Sequence, residues 1–245
     1  MSAEEAVVAL LAIVVGSLLK SISGFGLPLV AIPAISFVAD IETAVAAVAL
    51  PNLALNFVLA WRERDHYGET RDLPVLGATG FVGAIAGTII LVSVPSEPLI
   101  ALLVVVVTAY AFMFFKAPDF RIGPARSQQL SPYIGTTAGA MQGAIGISGP
   151  IVVAWIHSYR LPRGANILSV TALFSLASLA QVPTLAISNQ MRGLWAVALI
   201  GCVPAVATVP LGARLRESLS SEGFDRFVVI TLTVAVLGLA IRTFA

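Results

Sequence analysis

Charge is what this chain has least of. Only 11% of its 245 residues are Asp, Glu, Lys or Arg, while 58% are hydrophobic and the mean hydropathy is +0.96. A soluble domain carries roughly 25% charged residues. The deficit runs the whole length, which excludes an ordinary soluble domain and implies a polytopic membrane protein. A net charge of +1 leaves no basic bulk for nucleic acid. The single cysteine, Cys202, excludes an intrachain disulfide and makes a cysteine-based metal site implausible. Only two histidines are present, and no Walker sequence, so an ATP-driven pump is a poor fit.

What is present is a series of apolar segments punctuated by charges and turn residues. They run at about 6–22, 26–39, 43–61, 73–94 and 98–115, then at about 131–146, 149–158, 164–188, 194–212 and 224–242. Their interiors contain no Asp or Glu. The acidic start, with Glu4 and Glu5, does not match a cleavable signal, so the first segment is expected in the mature protein. If all ten segments reverse the chain, one face collects Arg62, Arg64, Arg71, Lys116, Arg121, Arg126, Arg160, Arg163, Arg214, Arg216 and Arg226. The other face holds Arg192 and Arg242. The positive-inside rule makes the rich face cytoplasmic and both termini periplasmic. If segments 2 and 7 did not return the chain, the basic residues would spread over both faces.

The chain reads as one transmembrane domain, 1–245, in two weakly similar halves, about 1–116 and 130–245. Gly24-Phe25-Gly26-Leu27-Pro28 aligns with Gly146-Ile147-Ser148-Gly149-Pro150, and Gly87 meets Gly212 after a short slip. Five segments per half is an odd number, so the halves lie inverted, a design of many secondary transporters. The expected fold class is therefore an all-α polytopic membrane protein of two inverted repeats. From Pro28 to Asp40 is about 18 Å of helix and from Pro150 to Arg160 about 15 Å, against a hydrocarbon core of about 30 Å. Neither arm spans it. Segments 1–2 and 6–7 are expected as hairpins from opposite faces, their turns near mid-depth.

Those turns are where chemistry is expected. Helix starts present backbone N–H groups to anions, and Gly24, Gly26, Gly146 and Gly149 let a ligand approach the main chain. Ser21, Ser23 and Ser148 add hydroxyls, Lys20 adds a full charge, and Gln142 occupies the matching position in the second half. Intramembrane polar groups mark substrate paths; the plainer alternatives are a lysine that snorkels to the headgroups and glycines that only permit close packing. Asn52 and Asn56 share a helix face and either line the path or bond between helices. Thr171, Ser175, Ser178 and Gln181 form a weaker polar face, with Ser175 placed among the site residues. Gly77, Gly80, Gly83 and Gly87 read as a helix-packing stripe. His157 reads as a surface histidine, and Trp61, Trp155 and Trp195 as interfacial anchors.

Taken together, "KSISGFGLPLVAIP", "ALPNLALNFVLAWR", "GATGFVGAIAGTII", "GAIGISGPIVVAWI" and "PLGARLRESLSSEGFDRFVVITL" resemble the TauE/SafE family of sulfite and organosulfonate exporters. The resemblance covers almost the whole chain. It implies a bacterial inner-membrane carrier for small sulfur-containing or carboxylate anions, most often an exporter. Many members have a denser glycine run at the first turn; this chain has "GFGLP" after a lysine, which leaves the substrate open. An uptake permease is the alternative within transport. An intramembrane enzyme would need a nucleophile and base, for which Lys20 with its neighbouring serines is a poor candidate, and a structural subunit would not need a charge at a buried turn. The expected partners are a small anion and membrane lipid, with a homodimer left open. No cofactor, metal or nucleic acid is called for.

Overall fold

The computed structural model describes residues 1–23, 26–116 and 121–218. All the regular structure among them is helical. The order is α1 (Ala3–Ser23), α2 (Leu27–Ser36), α3 (Ile41–Arg62), a 3-10 helix (Arg64–Glu69), α4 (Leu73–Ser93), α5 (Ser96–Lys116), α6 (Pro124–Ile145), α7 (Gly149–Ser158), α8 (Arg163–Ile187) and α9 (Trp195–Ser218). In lipid every backbone polar group needs a partner inside the protein, and a helix supplies these within one segment. Prolines stand in the first turns of α2, α4, α6 and α7, where the missing N–H costs nothing. The first nine expected segments each coincide with one of these helices. The tenth, at 224–242, lies outside the described residues, as do Gly24 and Phe25.

Among the described residues, five helices are long and apolar enough to cross a bilayer: Ala3–Ile22, Ile41–Arg62, Leu73–Ser93, Arg163–Ile187 and Trp195–Gly212. α2 and α7 are much shorter, ten residues each, or about 15 Å. Val82, Val105, Leu199 and Val203 are more than half exposed, as a surface facing acyl chains requires.

Packing crosses between the first and second parts of the chain. α4 lies along α6, α1 along α9, and α3 along α8; α4 also touches α8, and α3 touches α9. The α4–α6 contact is backbone against backbone. A Cβ on Gly139 would collide with the Gly80 carbonyl, and one on Gly87 with that of Ala140. Here the glycine stripe does what its spacing predicts: small residues let two helices close up. Apolar side chains form two main clusters. One joins α1, α2, α3, α5 and α9 with the ends of α4, α6 and α8, with Ile13, Leu29, Val45, Leu103 and Val209 among its members. The other joins α4, α6, α7 and α8 through Leu76, Ala138, Ile156 and Phe174.

The basic loops meet at one end of the molecule. Arg71 donates to the Ile122 carbonyl at 3.4 Å, the Ile122 N–H donates to Ser158, and Gly164 abuts His66. At the other end Ser96 donates to the Glu42 carboxylate at 2.8 Å. The loops after α3, α5 and α7 thus share one end of the molecule.

Candidate functional site

The chain doubles back after α1 and again after α6. Gly16 sits two turns before the end of α1, and a Cβ there would lie 2.8 Å from the Leu27 carbonyl oxygen, so α2 starts by running back along α1. The return is made through Gly26, at φ 135°, and the second through Gly146, at φ 70°. Both conformations are ones an L side chain resists, and Gly146 caps α6 in the left-handed region. The starts of the two short helices face each other: a Cβ on Gly149 would be 3.7 Å from Leu29 Cδ1.

Between them lies a cavity lined by Lys20, Gly26, Pro28, Asn52, Gln142, Gly146, Ile147, Ser148, Gly149 and Phe174, with Leu29. Its volume is about 10 Å³, room for about one water molecule. Lys20 is 1% exposed. Its Nζ donates to Asn52 Oδ1 at 2.9 Å and stands 4.8 Å from the centre of the Phe174 ring. Asn52 Oδ1 also accepts from Asn56 Nδ2 at 3.1 Å, and Asn52 Nδ2 donates to Ser178 Oγ at 3.2 Å. One amide thus ties α1, α3 and α8 together. On the opposite wall Ser148 Oγ donates to Gln142 Oε1 at 3.0 Å, and Gln181 Nε2 holds the Gln142 carbonyl at 2.9 Å.

The depth of this cavity follows from the long helices. Asn52 lies near the middle of α3 and Phe174 near the middle of α8. The Lys20 amine therefore lies level with the middles of α3 and α8. No carboxylate pairs with it among the described residues; its neighbours are a neutral amide oxygen and an aromatic face. A hydrogen bond to a charged group contributes about 1.5–3 kcal/mol. Holding a charge at the centre of a bilayer costs about 2.5–3.5 kcal/mol or more. The two are of similar size.

A family model described as Sulfite exporter TauE/SafE matches residues 8–239. The chain belongs to the TauE/SafE family. No curated protein and no solved structure matches it. Membership identifies a membrane protein of a transporter family for sulfur-containing anions, which agrees with its apolar helices.

In this TauE/SafE chain, seven of the expected site residues line one cavity, Lys20, Gly26, Asn52, Gln142, Gly146, Ser148 and Gly149, and Asn56 stands behind them, bonded to Asn52. Ser21 turns to Thr208 on α9, 3.2 Å away. Ser175 donates back to the Thr171 carbonyl and is not on the cavity wall. Ser23 ends α1, and Gly24 is outside the described residues. Phe174 and Ile147 were not expected; an apolar residue within an apolar run carries no sequence signal. Trp61 and Trp195 are well exposed, as anchors should be, but Trp155 is buried and donates to Tyr159 Oη at 2.6 Å. Its place near a segment end suggested an interface, and the tertiary fold covers it instead. His157 is exposed beside Arg160.

Proposed function

We propose that this protein is a secondary transporter that moves a small anion, sulfite or an organosulfonate, across the bacterial inner membrane, in the export direction, by alternating access at its two glycine turns. The observation that carries the proposal is the buried Lys20 ammonium, without an acidic partner among the described residues, in a cavity walled by both turns. The starts of α2 and α7 add backbone dipoles of the sign an anion needs. Lys20 supplies the charge, Asn52 positions it, and Ser148 and Gln142 supply neutral polar contacts. The cavity is smaller than the proposed substrates, so this conformation is a closed one and binding requires it to widen.

Two inverted halves, about 1–116 and 130–245, account for the packing. Under that relation α1 corresponds to α6 and α4 to α9, so the α4–α6 and α1–α9 contacts are one interface occurring twice. Glycine contacts repeat as well: Gly87 meets Gly143, and Gly212 meets Ser21. The arginine-rich end is the cytoplasmic one by the positive-inside rule, which puts the N-terminus in the periplasm.

Flux into proteoliposomes tests the proposal. Sulfite or isethionate is expected to move in the wild type and to fall by roughly 30-fold or more in Lys20→Gln, on the scale of losing one partner of a buried charge pair. Full flux in Lys20→Gln would remove the lysine from the mechanism. Absence of flux for every small sulfur or carboxylate anion tried would remove the transport proposal.

A further inference from the structure

A second cavity, of about 20 Å³, continues from the first. Phe174 and Ser148 line both. From there the second cavity runs beside α7 toward the arginine-rich end, between α4–α6 on one side and α8 on the other, and reaches Trp155. Ser148 to Trp155 is about 10 Å of helix. Small residues, Gly80, Gly135, Ala138, Gly139 and Ala177, make part of the wall, and larger apolar side chains such as Leu76 and Val152 make the rest.

The far end is capped by a polar network. Trp155 Nε1 donates to Tyr159 Oη, Tyr159 Oη donates to Asp72 Oδ2 at 3.0 Å, and Ser131 Oγ donates to the same carboxylate oxygen at 3.2 Å. Arg71 stacks 5.0 Å over the Tyr159 ring. Four elements are thereby pinned together: the start of α4, α6, α7 and the segment after it. Asp72 holds φ 54°, a left-handed conformation uncommon for a residue with a Cβ, so its carboxylate is aimed at the network at some backbone cost. A carboxylate across the end of an anion path also repels what would pass.

We infer that the second cavity is the passage between the Lys20 cavity and the arginine-rich end, closed on its inner side by Phe174 and on its outer side by the Trp155–Tyr159–Asp72 latch. The phenol of Tyr159 is the pin: it accepts from Trp155 on α7, donates to Asp72 before α4 and lies 3.3 Å from Ser131 Oγ on α6. Phe174 is a positioning residue as well as a partition. Its ring faces the Lys20 ammonium from the passage side, so an anion leaving that way displaces the ring from the charge.

The inference rests on the transport proposal, but labelling tests it without any substrate, so its failure and a failure of anion flux are separate results. The parent is Cys202→Ala, which removes the one native thiol. The reporter is Ala177→Cys on the wall of the second cavity, with Ala138→Cys on the facing wall as its duplicate. A membrane-impermeant methanethiosulfonate reagent is applied from each side in turn. Adding Tyr159→Phe is expected to speed labelling from the arginine-rich side about tenfold, the scale of one charge-assisted hydrogen bond, and to leave the other side unchanged. Ile147→Cys, which lines only the first cavity, is expected to stay slow until Phe174→Ala is added. Ala46→Cys, fully buried in the other apolar cluster, reports general loosening. Unchanged labelling at both reporters would overturn the passage. So would equal acceleration from both sides or at Ala46→Cys, and fast labelling of Ile147→Cys with Phe174 intact would remove the inner closure.

Discussion

The two hairpins share a plan and differ in chemistry. Each has a long helix, a glycine turn and a ten-residue return helix with a proline in its first turn. The first puts Lys20 at the turn and then nothing polar on its return helix except Ser36. The second puts the neutral Gln142 at the turn and follows it with a return helix carrying Trp155, which bonds to Tyr159 just past its end, and Tyr159 reaches Asp72 before α4 and Ser131 on α6. A symmetric plan has been given one charged side and one fastened side. The difference is a division of chemistry: the first hairpin carries the buried lysine and the second carries the polar network.

Removing the charge is the largest change the comparison allows. Beyond the loss in Lys20→Gln, the double change Lys20→Gln with Gln142→Lys asks whether position or only charge matters. Flux recovering to within about tenfold of wild type, a deficit of about 1.4 kcal/mol, would make the two turns interchangeable, whereas flux no better than in Lys20→Gln would mean that Asn52 is an indispensable seat. Next in size is the tight packing of the second hairpin. Gly139→Val drives side-chain atoms into the Gly80 carbonyl and is expected to cost at least about 1–3 kcal/mol, seen as a lower melting temperature in detergent. Gly68→Val, at a position with open space around it, should leave melting almost unmoved, and equal effects would mean that α4–α6 contact is not limiting.

Smaller again is Gly146→Ala, which places a side chain at φ 70° against Ile32. A cost of about 1–2 kcal/mol is expected from the backbone alone, again as a melting shift, and a stabilised protein would show that the turn is not held left-handed. The finest test concerns Tyr159. Burial, with Asp72 beside it, pushes its phenol up to about 12 from the usual 10.0. A raised value favours the protonated form in the fold, so the latch keeps its proton at neutral pH and its contribution to stability fades only as pH climbs from about 10 toward 12. The ultraviolet phenolate difference between wild type and Tyr159→Phe should appear near the higher value. Ionisation near the ordinary value would mean that the hydroxyl is open to water.

Much of this was legible before any coordinates. Segment limits were visible because charges and turn residues are rare enough here to act as punctuation, and Lys20 stood out because an isolated cation in an apolar run has no bland company. Glycine next to proline marked both turns for a backbone reason that holds in any fold. Phe174 was invisible, since nothing distinguishes the aromatic ring that faces an ammonium from one that fills a core. The latch was invisible for another reason. Asp72, Ser131 and Tyr159 have no common spacing, and only helices crossing from separate parts of the chain bring them within bonding distance. Trp155 misled because position along a segment says little about which way the helix is turned.

The cross-packing of α4 on α6 and α1 on α9 has one more consequence. Because each pair takes one helix from either part of the chain, the two parts are clasped like interlocked fingers rather than packed as sequence-contiguous bodies. The Lys20 cavity sits where the two apolar clusters meet, with Leu29 and Ile147 from one and Phe174 from the other, so its walls are drawn from both sides of that clasp.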